Sequence, residues 1–142
     1  MTSLGTAPIT PLAPVPGDDY VAGACNIGTW EIRRRRLSAF GAFFGALALF
    51  VILVAIGAPA WTRLLLILPI TGGTVSWLQA RRRFCVAYAL GGVANFGDDE
   101  ASRRTVVDPV QRDLDRRATR TLLRDAFLIA VVPTIIAVIV PV

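Results

Sequence analysis

The chain has 142 residues, which fits one domain or a few helices and leaves no room for a second large domain. Hydrophobic residues make up 54% of it and charged residues only 18%, whereas soluble domains average about 45–50% and about 25%. The mean hydropathy is +0.59, all 15 basic residues are arginine, and the net charge is +5. This composition excludes an ordinary soluble globule and indicates that lipid surrounds much of the chain.

Residues 1–24 predict a disordered, proline-rich N-terminal tail. They contain four prolines, no basic residue and little apolar surface that could pack. A cleavable signal peptide would need a basic start followed by an apolar run. We therefore expect the first apolar helix to act as an uncleaved insertion signal.

Two apolar stretches then predict a transmembrane hairpin. The first helix is placed at 37–57, and the second at 60–80, where Arg63 can extend its side chain to the membrane surface. A bilayer core about 30 Å thick needs about 20 helical residues. The sequence Gly57-Ala58-Pro59 stops one helix and restarts the next, so the two are expected to be antiparallel.

Small residues on the two helices predict close packing. Gly41 and Gly45 form a GxxxG motif on the first helix, and Gly72, Gly73 and Ser76 offer a similar small surface on the second. Two interpretations are open: the two helices pack on each other within the chain, or they pack on another subunit.

The segment after the hairpin is predicted to lie in the cytoplasm. Residues 84–97 are apolar but too short and too rich in glycine to span, so they should lie at the membrane surface or under the bundle. Residues 98–125 begin with an acidic loop and continue as an amphipathic helix. Asp108 is the expected N-cap and Pro109 the first helical residue. This helix either ends near Asp125 or continues into the next apolar stretch.

The amphipathic helix carries a basic stripe beside an apolar one. The basic stripe consists of Arg112, Arg116, Arg120 and Arg124. The apolar stripe consists of Val110, Leu114, Ala118 and Leu122. Pairs four residues apart, Asp108 with Arg112 and Asp113 with Arg117, can form ion pairs. Aligned arginines repel one another, so the stripe predicts an anionic lipid or an acidic protein partner. Since no nucleic-acid motif is present, nucleic acid is not expected.

The last apolar stretch, 126–142, predicts a third transmembrane helix. Its 17 residues are at the short end of the spanning range, and Pro133 lies within it. A buried helix or a re-entrant segment is the alternative.

The arginines predict how the chain is oriented. Fourteen of them flank the proposed spans on one side, and only Arg63 lies on the other. The positive-inside rule places the N-terminus and 81–125 in the cytoplasm of a bacterial cell, with the C-terminus outside its inner membrane. The arginines expected to contact anionic lipid or a partner are Arg33, Arg34, Arg35, Arg36, Arg81, Arg82 and Arg83, together with the stripe Arg112, Arg116, Arg120 and Arg124.

Cys25 and Cys85 are both expected near the cytoplasmic membrane surface. Neighbouring arginines favour the thiolate form. Two thiolates are half of a tetrahedral site, so two protomers could share zinc or an iron–sulfur cluster. Structural packing and redox chemistry are the other interpretations, and a reducing compartment disfavours a structural disulfide. Apart from such a shared site, no cofactor is expected.

The residues predict no enzyme. Histidine is absent, and no carboxylate lies within the proposed spans, which also argues against a proton-coupled transporter.

The segment Cys25-Asn26-Ile27-Gly28 before the hairpin, and Phe84-Cys85 with Asn95-Phe96-Gly97 after it, resemble small bacterial integral membrane proteins that have no established activity. The similarity covers residues 25–97. It implies that the two Cys-containing segments act together, and it leaves the third span outside.

The sequence thus predicts an all-α integral membrane protein with a helical hairpin and a third transmembrane helix. The expected function is that of a non-enzymatic accessory or assembly subunit of a bacterial inner-membrane complex. The alternatives are a metal or redox protein that uses Cys25 and Cys85, and a homo-oligomeric channel or transporter.

Overall fold

The computed structural model describes residues 20–97 and 100–141, and these are mostly helical. The elements in chain order are α1 (Thr29–Ala55), a 3-10 segment (Ala60–Leu66), α2 (Ile67–Arg82), α3 (Val86–Gly91), β1 (Val93–Asn95), a 3-10 turn (Glu100–Ser102), β2 (Arg103–Thr105) and α4 (Pro109–Ile139). Most of the predicted tail, residues 1–19, lies outside the described residues. Residues 20–24, which we also assigned to the tail, form a turn that packs on α4.

Among the described residues, two helices are long and apolar enough to cross a membrane, α1 with 27 residues and α4 with 31. α4 is continuous through Pro133 and measures about 46 Å at 1.5 Å per residue. It joins the predicted amphipathic helix to the third apolar stretch, and Asp108 caps its start as expected by accepting the Val110 amide at 2.9 Å. The second span expected at 60–80 is divided between the 3-10 segment and the 16-residue α2. A third helix of spanning length is therefore not shown.

Gly57 ends α1 in a Schellman turn. Its φ of +67° lies in the left-handed region that glycine tolerates best. The Gly57 amide donates to the Val54 carbonyl and the Ala58 amide to the Leu53 carbonyl, both at 3.0 Å. These bonds satisfy the last carbonyls of α1 and turn the chain back, so that α2 packs antiparallel to α1.

α2 lies between α1 and α4. On the α1 side, a Cβ added to Gly73 would lie 2.6 Å from the Phe43 ring, so the helices touch closely there. On the α4 side, Arg82 at the end of α2 binds Asp125 at 2.7 Å, and Arg63 before the start of α2 binds the Val140 carbonyl at 2.8 Å. α4 therefore runs antiparallel to α2 and parallel to α1.

The face that α1 turns towards the bundle is made of small and medium residues seven positions apart, namely Ala39, Ala46 and Leu53. This spacing keeps one narrow stripe in contact with α2. Many of the other large apolar residues of α1 are exposed, among them Phe40, Phe44, Leu47, Val51 and Ile52.

A small antiparallel sheet, which the sequence did not predict, lies beneath the bundle. β1 pairs with β2 so that Val93 is opposite Thr105 and Asn95 is opposite Arg103. Strands of three residues are too short to show an alternating pattern. Nearby, α3 packs on α4 around Phe84 and Leu122, so residues 84–97 pack under the bundle. The all-α expectation holds as a mostly helical fold.

Arg63 closes the opposite end of the bundle. We expected its side chain to extend to the membrane surface. The residue is instead buried, with 4% of its surface exposed. Its Nη1 donates to the carbonyls of Ala137 at 3.1 Å and Val140 at 2.8 Å. The guanidinium also lies 5.8 Å from the centre of the Phe50 ring. Carbonyls at a helix C-terminus carry partial negative charge. Arg63 therefore attaches the end of α4 to the 3-10 segment that precedes α2.

Replacing this contact should destabilise the bundle. We expect Arg63→Leu to lower the free energy of unfolding by about 2 kcal/mol, because two charge-assisted hydrogen bonds are lost and the carbonyls are left unpaired. The measurement is thermal unfolding of the purified protein in detergent. The matched control is Arg120→Leu, at an exposed position of α4. Equal unfolding midpoints for the two variants would contradict the role of Arg63.

Candidate functional site at the arginine-rich end

Fourteen of the fifteen arginines lie at one end of the bundle. This end is formed by the start of α1, the end of α2, α3, the sheet and the first half of α4. It also holds both cysteines and two carboxylates that are completely or almost completely buried, Glu31 and Asp115. We take it as the candidate functional site because the chain gathers its polar groups there.

The side chain of Asn26 fastens the N-terminal segment to the end of the hairpin. Its Nδ2 donates to the Cys85 carbonyl at 3.0 Å, and its Oδ1 accepts from the Cys85 amide at 2.6 Å. Both residues are fully buried. The backbone joins in, since the Asn26 amide donates to the Arg83 carbonyl and the Asn95 amide donates to the Asn26 carbonyl, both at 3.0 Å. The two Cys-containing segments are thus in direct contact.

Gly28 completes this contact at its other end. Its amide donates to the Asn95 carbonyl at 2.9 Å, and Ile27 bridges to Asn95 in parallel register. A Cβ at Gly28 would lie only 2.5 Å from the Phe96 carbonyl oxygen. Within Cys-Asn-Ile-Gly, therefore, Asn26 and Gly28 make the contacts that join this segment to residues 84–97.

A buried ionic cluster surrounds Glu31, which is 3% exposed. Tyr88 donates its hydroxyl to Oε1 at 2.9 Å, while Arg34 and Arg35 lie 4.0 and 3.8 Å from the carboxylate oxygens. Arg103 covers the Tyr88 ring at 5.3 Å. A buried carboxylate is tolerated only when it is paired, and these contacts supply the pairing.

Cys85 belongs to the same cluster. The sulfur accepts a hydrogen bond from Nη2 of Arg35 at 3.0 Å, and the residue is completely buried. Cys25 is half-buried, and no disulfide joins the two. A guanidinium on the sulfur opposes a metal cation there, and the described part of the chain holds no group of three or more potential ligands. The geometry thus favours packing for Cys85, and the shared metal site stays a prediction.

The burial of Asp115 was not predicted from the sequence. The residue is fully buried on α4, where Oδ2 accepts from the Tyr20 hydroxyl at 2.8 Å and Oδ1 from the Gly23 amide at 2.7 Å. Burial, followed by the hydrogen bond and charge of Asp115, raises the pKa of Tyr20 above its usual range. The phenol therefore keeps its proton and remains a donor. Asp115 holds the turn at 21–24 against α4.

The docking of this turn changes which face of α4 is buried. Of the apolar stripe, Val110 and Leu114 are exposed, Ala118 is half-buried and Leu122 is fully buried. The buried positions are Asp115, Thr119, Leu122, Ala126, Ala130 and Thr134. A polar residue within an arginine-rich helix gives no apolar signal, so its burial could not be read from periodicity.

Ion pairs divide the predicted arginines into two groups. Glu31 contacts Arg34 and Arg35, while Asp125 contacts Arg82 at 2.7 Å and Arg124 at 3.1 Å. Asp113 pairs with Arg117 at 2.8 Å, as expected. Within residues 20–97 and 100–141, no ion pair is found for Arg33, Arg36, Arg81, Arg83, Arg112, Arg116 and Arg120. The second group is where an external anion could bind.

The small residues also divide. Gly73 is buried against Phe43, and Ser76 is half-buried. Around Gly41, Gly45 and Gly72, by contrast, an added Cβ would meet no atom of another described element within 4 Å. The GxxxG motif of α1 is therefore not part of the contact between α1 and α2.

The close approach of Gly28 to Phe96 can be tested with two alanine variants, one at Gly28 and one at the open position Gly41. We expect Gly28→Ala to lower the free energy of unfolding by about 2 kcal/mol, because the new methyl group meets the Phe96 carbonyl and forces the segments apart. Gly41→Ala should be neutral or stabilising by about 0.5–1 kcal/mol, since it replaces an open glycine within a helix. Chemical unfolding of both variants in detergent is the measurement. A Gly28→Ala protein as stable as Gly41→Ala would show that the close approach to Phe96 does not exist.

Comparison with known proteins adds no family to this geometry. No family model, no curated protein and no solved structure matches the chain. The resemblance of residues 25–97 to small bacterial membrane proteins stays a prediction, and function is argued from the contacts above.

Proposed function

We propose that the protein is a multi-pass protein of the bacterial inner membrane that serves, without enzymatic activity, as an accessory or assembly subunit. The observation that carries the proposal is the outward-facing apolar surface of the bundle. In the most apolar 18-residue stretch of each helix, only 17% of the residues of α1 and 22% of those of α4 are buried. A core helix of a soluble protein would be mostly buried, so these faces need lipid or another helix around them.

The proposal includes three passes. Arg82 contacts Asp125 at one end of the apolar part of α4, and Arg63 contacts Val140 at the other. Residues 63–82 therefore lie beside α4 along this whole apolar part. A membrane crossed by α4 is therefore also crossed by the 3-10 segment and α2. Residues 64–80 of the hairpin and 126–139 of α4 carry no charged side chain, as spanning segments require. The positive-inside rule then assigns the arginine-rich end to the cytoplasm.

A structural role is supported by the way the buried charges are used. Within the described residues, Glu31 and Asp115 both accept hydrogen bonds from groups that hold segments together. Arg63 caps a helix. Catalytic acids and bases are instead arranged around a space for substrate. These three buried charged residues therefore stabilise the fold of the described chain.

The partner would be recognised through α1. Gly41 and Gly45 lie on an exposed face beside Phe44, which is 74% exposed. Small residues four positions apart let a second helix approach closely, and flanking aromatic side chains extend the contact. The exposed arginines of α4 would then face anionic lipid or an acidic surface of the partner.

The GxxxG face is tested by co-purification from native membranes in a mild detergent. We expect the wild-type chain to migrate as part of a larger complex, and Gly41→Leu combined with Gly45→Leu to release it as a smaller species. Leucine at these positions separates the helix backbones. Gly72→Leu is the control, because Gly72 is equally open but lies on α2.

Migration of the wild-type chain as a monomer would contradict the proposal of a subunit. An equal loss of the complex in the Gly72→Leu control would contradict the assignment of the interface to α1.

A further inference from the structure

A recess of about 950 Å³ opens between the first turns of α1 and the last turn of α2. Four arginines line it, Arg33 and Arg36 on α1 and Arg81 and Arg83 at the end of α2. The recess is also lined by Phe40 and Trp77, whose ring centres are 5.9 Å apart in an edge-to-face arrangement. Ligand sites in proteins commonly enclose about 300–1,000 Å³, so the recess is large enough for a lipid headgroup and the start of its chains.

The charges of this recess are uncompensated. Elsewhere at the same end, the fold pairs arginines with carboxylates, as in Arg82 with Asp125 and Arg117 with Asp113. In the part of the chain that the structure describes, no carboxylate lies within 4.0 Å of a guanidinium nitrogen of the four recess arginines. Like charges brought together on facing walls repel, so the arrangement favours an anion between them.

The recess also has a direction. On α1, Arg33 and Arg36 are one turn apart and Phe40 follows one turn later, while on α2 Trp77 precedes Arg81 by one turn. Because the helices are antiparallel, both walls change from arginine to aromatic towards the middle of the bundle. A phosphate bound by the arginines would therefore lie next to apolar surface. A phospholipid has the same order, because its acyl chains follow its charged headgroup.

Arg83 has an unusual backbone conformation at the edge of the recess. It ends α2 with φ at +51°, and it is the one residue other than glycine with positive φ in the described chain. The Phe84 amide donates to the Gln79 carbonyl at 3.0 Å across it, which is the turn that usually contains glycine. An arginine is strained there, and strained residues concentrate at binding sites.

We propose that this recess is a binding site for an anionic membrane phospholipid. The guanidinium groups of the four arginines bind the phosphate, and Phe40 and Trp77 contact the glycerol and the first methylene groups of the acyl chains. Arginine suits this role since its planar guanidinium can donate two hydrogen bonds to one phosphate. Basic pockets between transmembrane helices on the cytoplasmic side bind such headgroups. The site rests on the proposed membrane location.

The test uses the full-length protein in a non-ionic detergent, with Trp30→Phe and Trp61→Phe so that Trp77 alone fluoresces. Phosphatidylglycerol brominated near the headgroup is titrated in, and brominated phosphatidylcholine with the same chains is the comparison. Bromine quenches only a nearby indole. We expect saturable quenching of Trp77 by the anionic lipid, weaker quenching by the zwitterionic lipid, and a loss of this difference in high salt.

Two double variants remove the same charge from different places. Arg81→Gln with Arg83→Gly should weaken the apparent affinity for phosphatidylglycerol roughly 30-fold. Arg104→Gln with Arg117→Gln, at two exposed positions outside the recess, should change it less than about threefold, because Arg104 lies on the sheet and Arg117 is already paired with Asp113. Arg83→Gly alone should bind more weakly, yet unfold at the same temperature as the parent or a higher one, since glycine relieves the strained backbone. That combination separates lost binding from lost folding.

Three results would overturn the lipid site. The first is equal quenching by the two lipids, and the second is an equal loss of affinity in the two double variants. The third is displacement of the lipid by inorganic phosphate at matched ionic strength, which would indicate a site for free phosphate.

Alkaline carbonate extraction reports the membrane location separately. A chain that stays in the membrane pellet but does not discriminate the lipids overturns the recess alone. A chain released by alkali overturns the proposed function and the recess together.

Discussion

A guanidinium group is costly to place against apolar surface unless it is paired or reaches water, and this cost governs the arrangement of the whole chain. The fold meets it by gathering fourteen arginines at one end of the bundle. The remaining one, Arg63, is buried at the other end, where the last carbonyls of α4 accept its hydrogen bonds. The helices between the two ends are left free of charge, which gives the bundle its apolar sides.

The crowded end needs its own scaffold, and short polar contacts provide it. Asn26 binds the backbone of Cys85 in both directions, Glu31 collects Tyr88 and two arginines, and Asp115 holds the first described turn on α4. The contacts of Asn26 with Cys85, of Glu31 with Tyr88 and of Asp115 with Gly23 each join parts of the chain more than 50 residues apart, so together they fix segments that have little apolar surface. The arginines that this scaffold leaves unpaired are the ones available to lipid or to a partner.

The sequence predicted the features that depend on local patterns. The stop at Gly57 and the cap at Asp108 follow from neighbouring residues, and the structure contains both. It did not predict that α2 begins as a 3-10 segment, that Arg63 is buried, or that Asp115 is buried on an arginine-rich helix. These depend on groups distant in the sequence. The same limit applies to the site. The cysteines were the predicted functional residues of these segments, whereas the contacts that join the segments are made by Asn26 and Gly28.

The central claim is that the two ends of the bundle face opposite sides of a membrane. The most direct measurement is labelling by a membrane-impermeant maleimide in intact and in permeabilised cells, with cysteine placed at one exposed position of each end. Wild-type protein gives the background from its own cysteines. The account predicts that Ala60→Cys is labelled in intact cells and Val110→Cys only after permeabilisation. Labelling of both positions in intact cells, or of neither before permeabilisation, would contradict it.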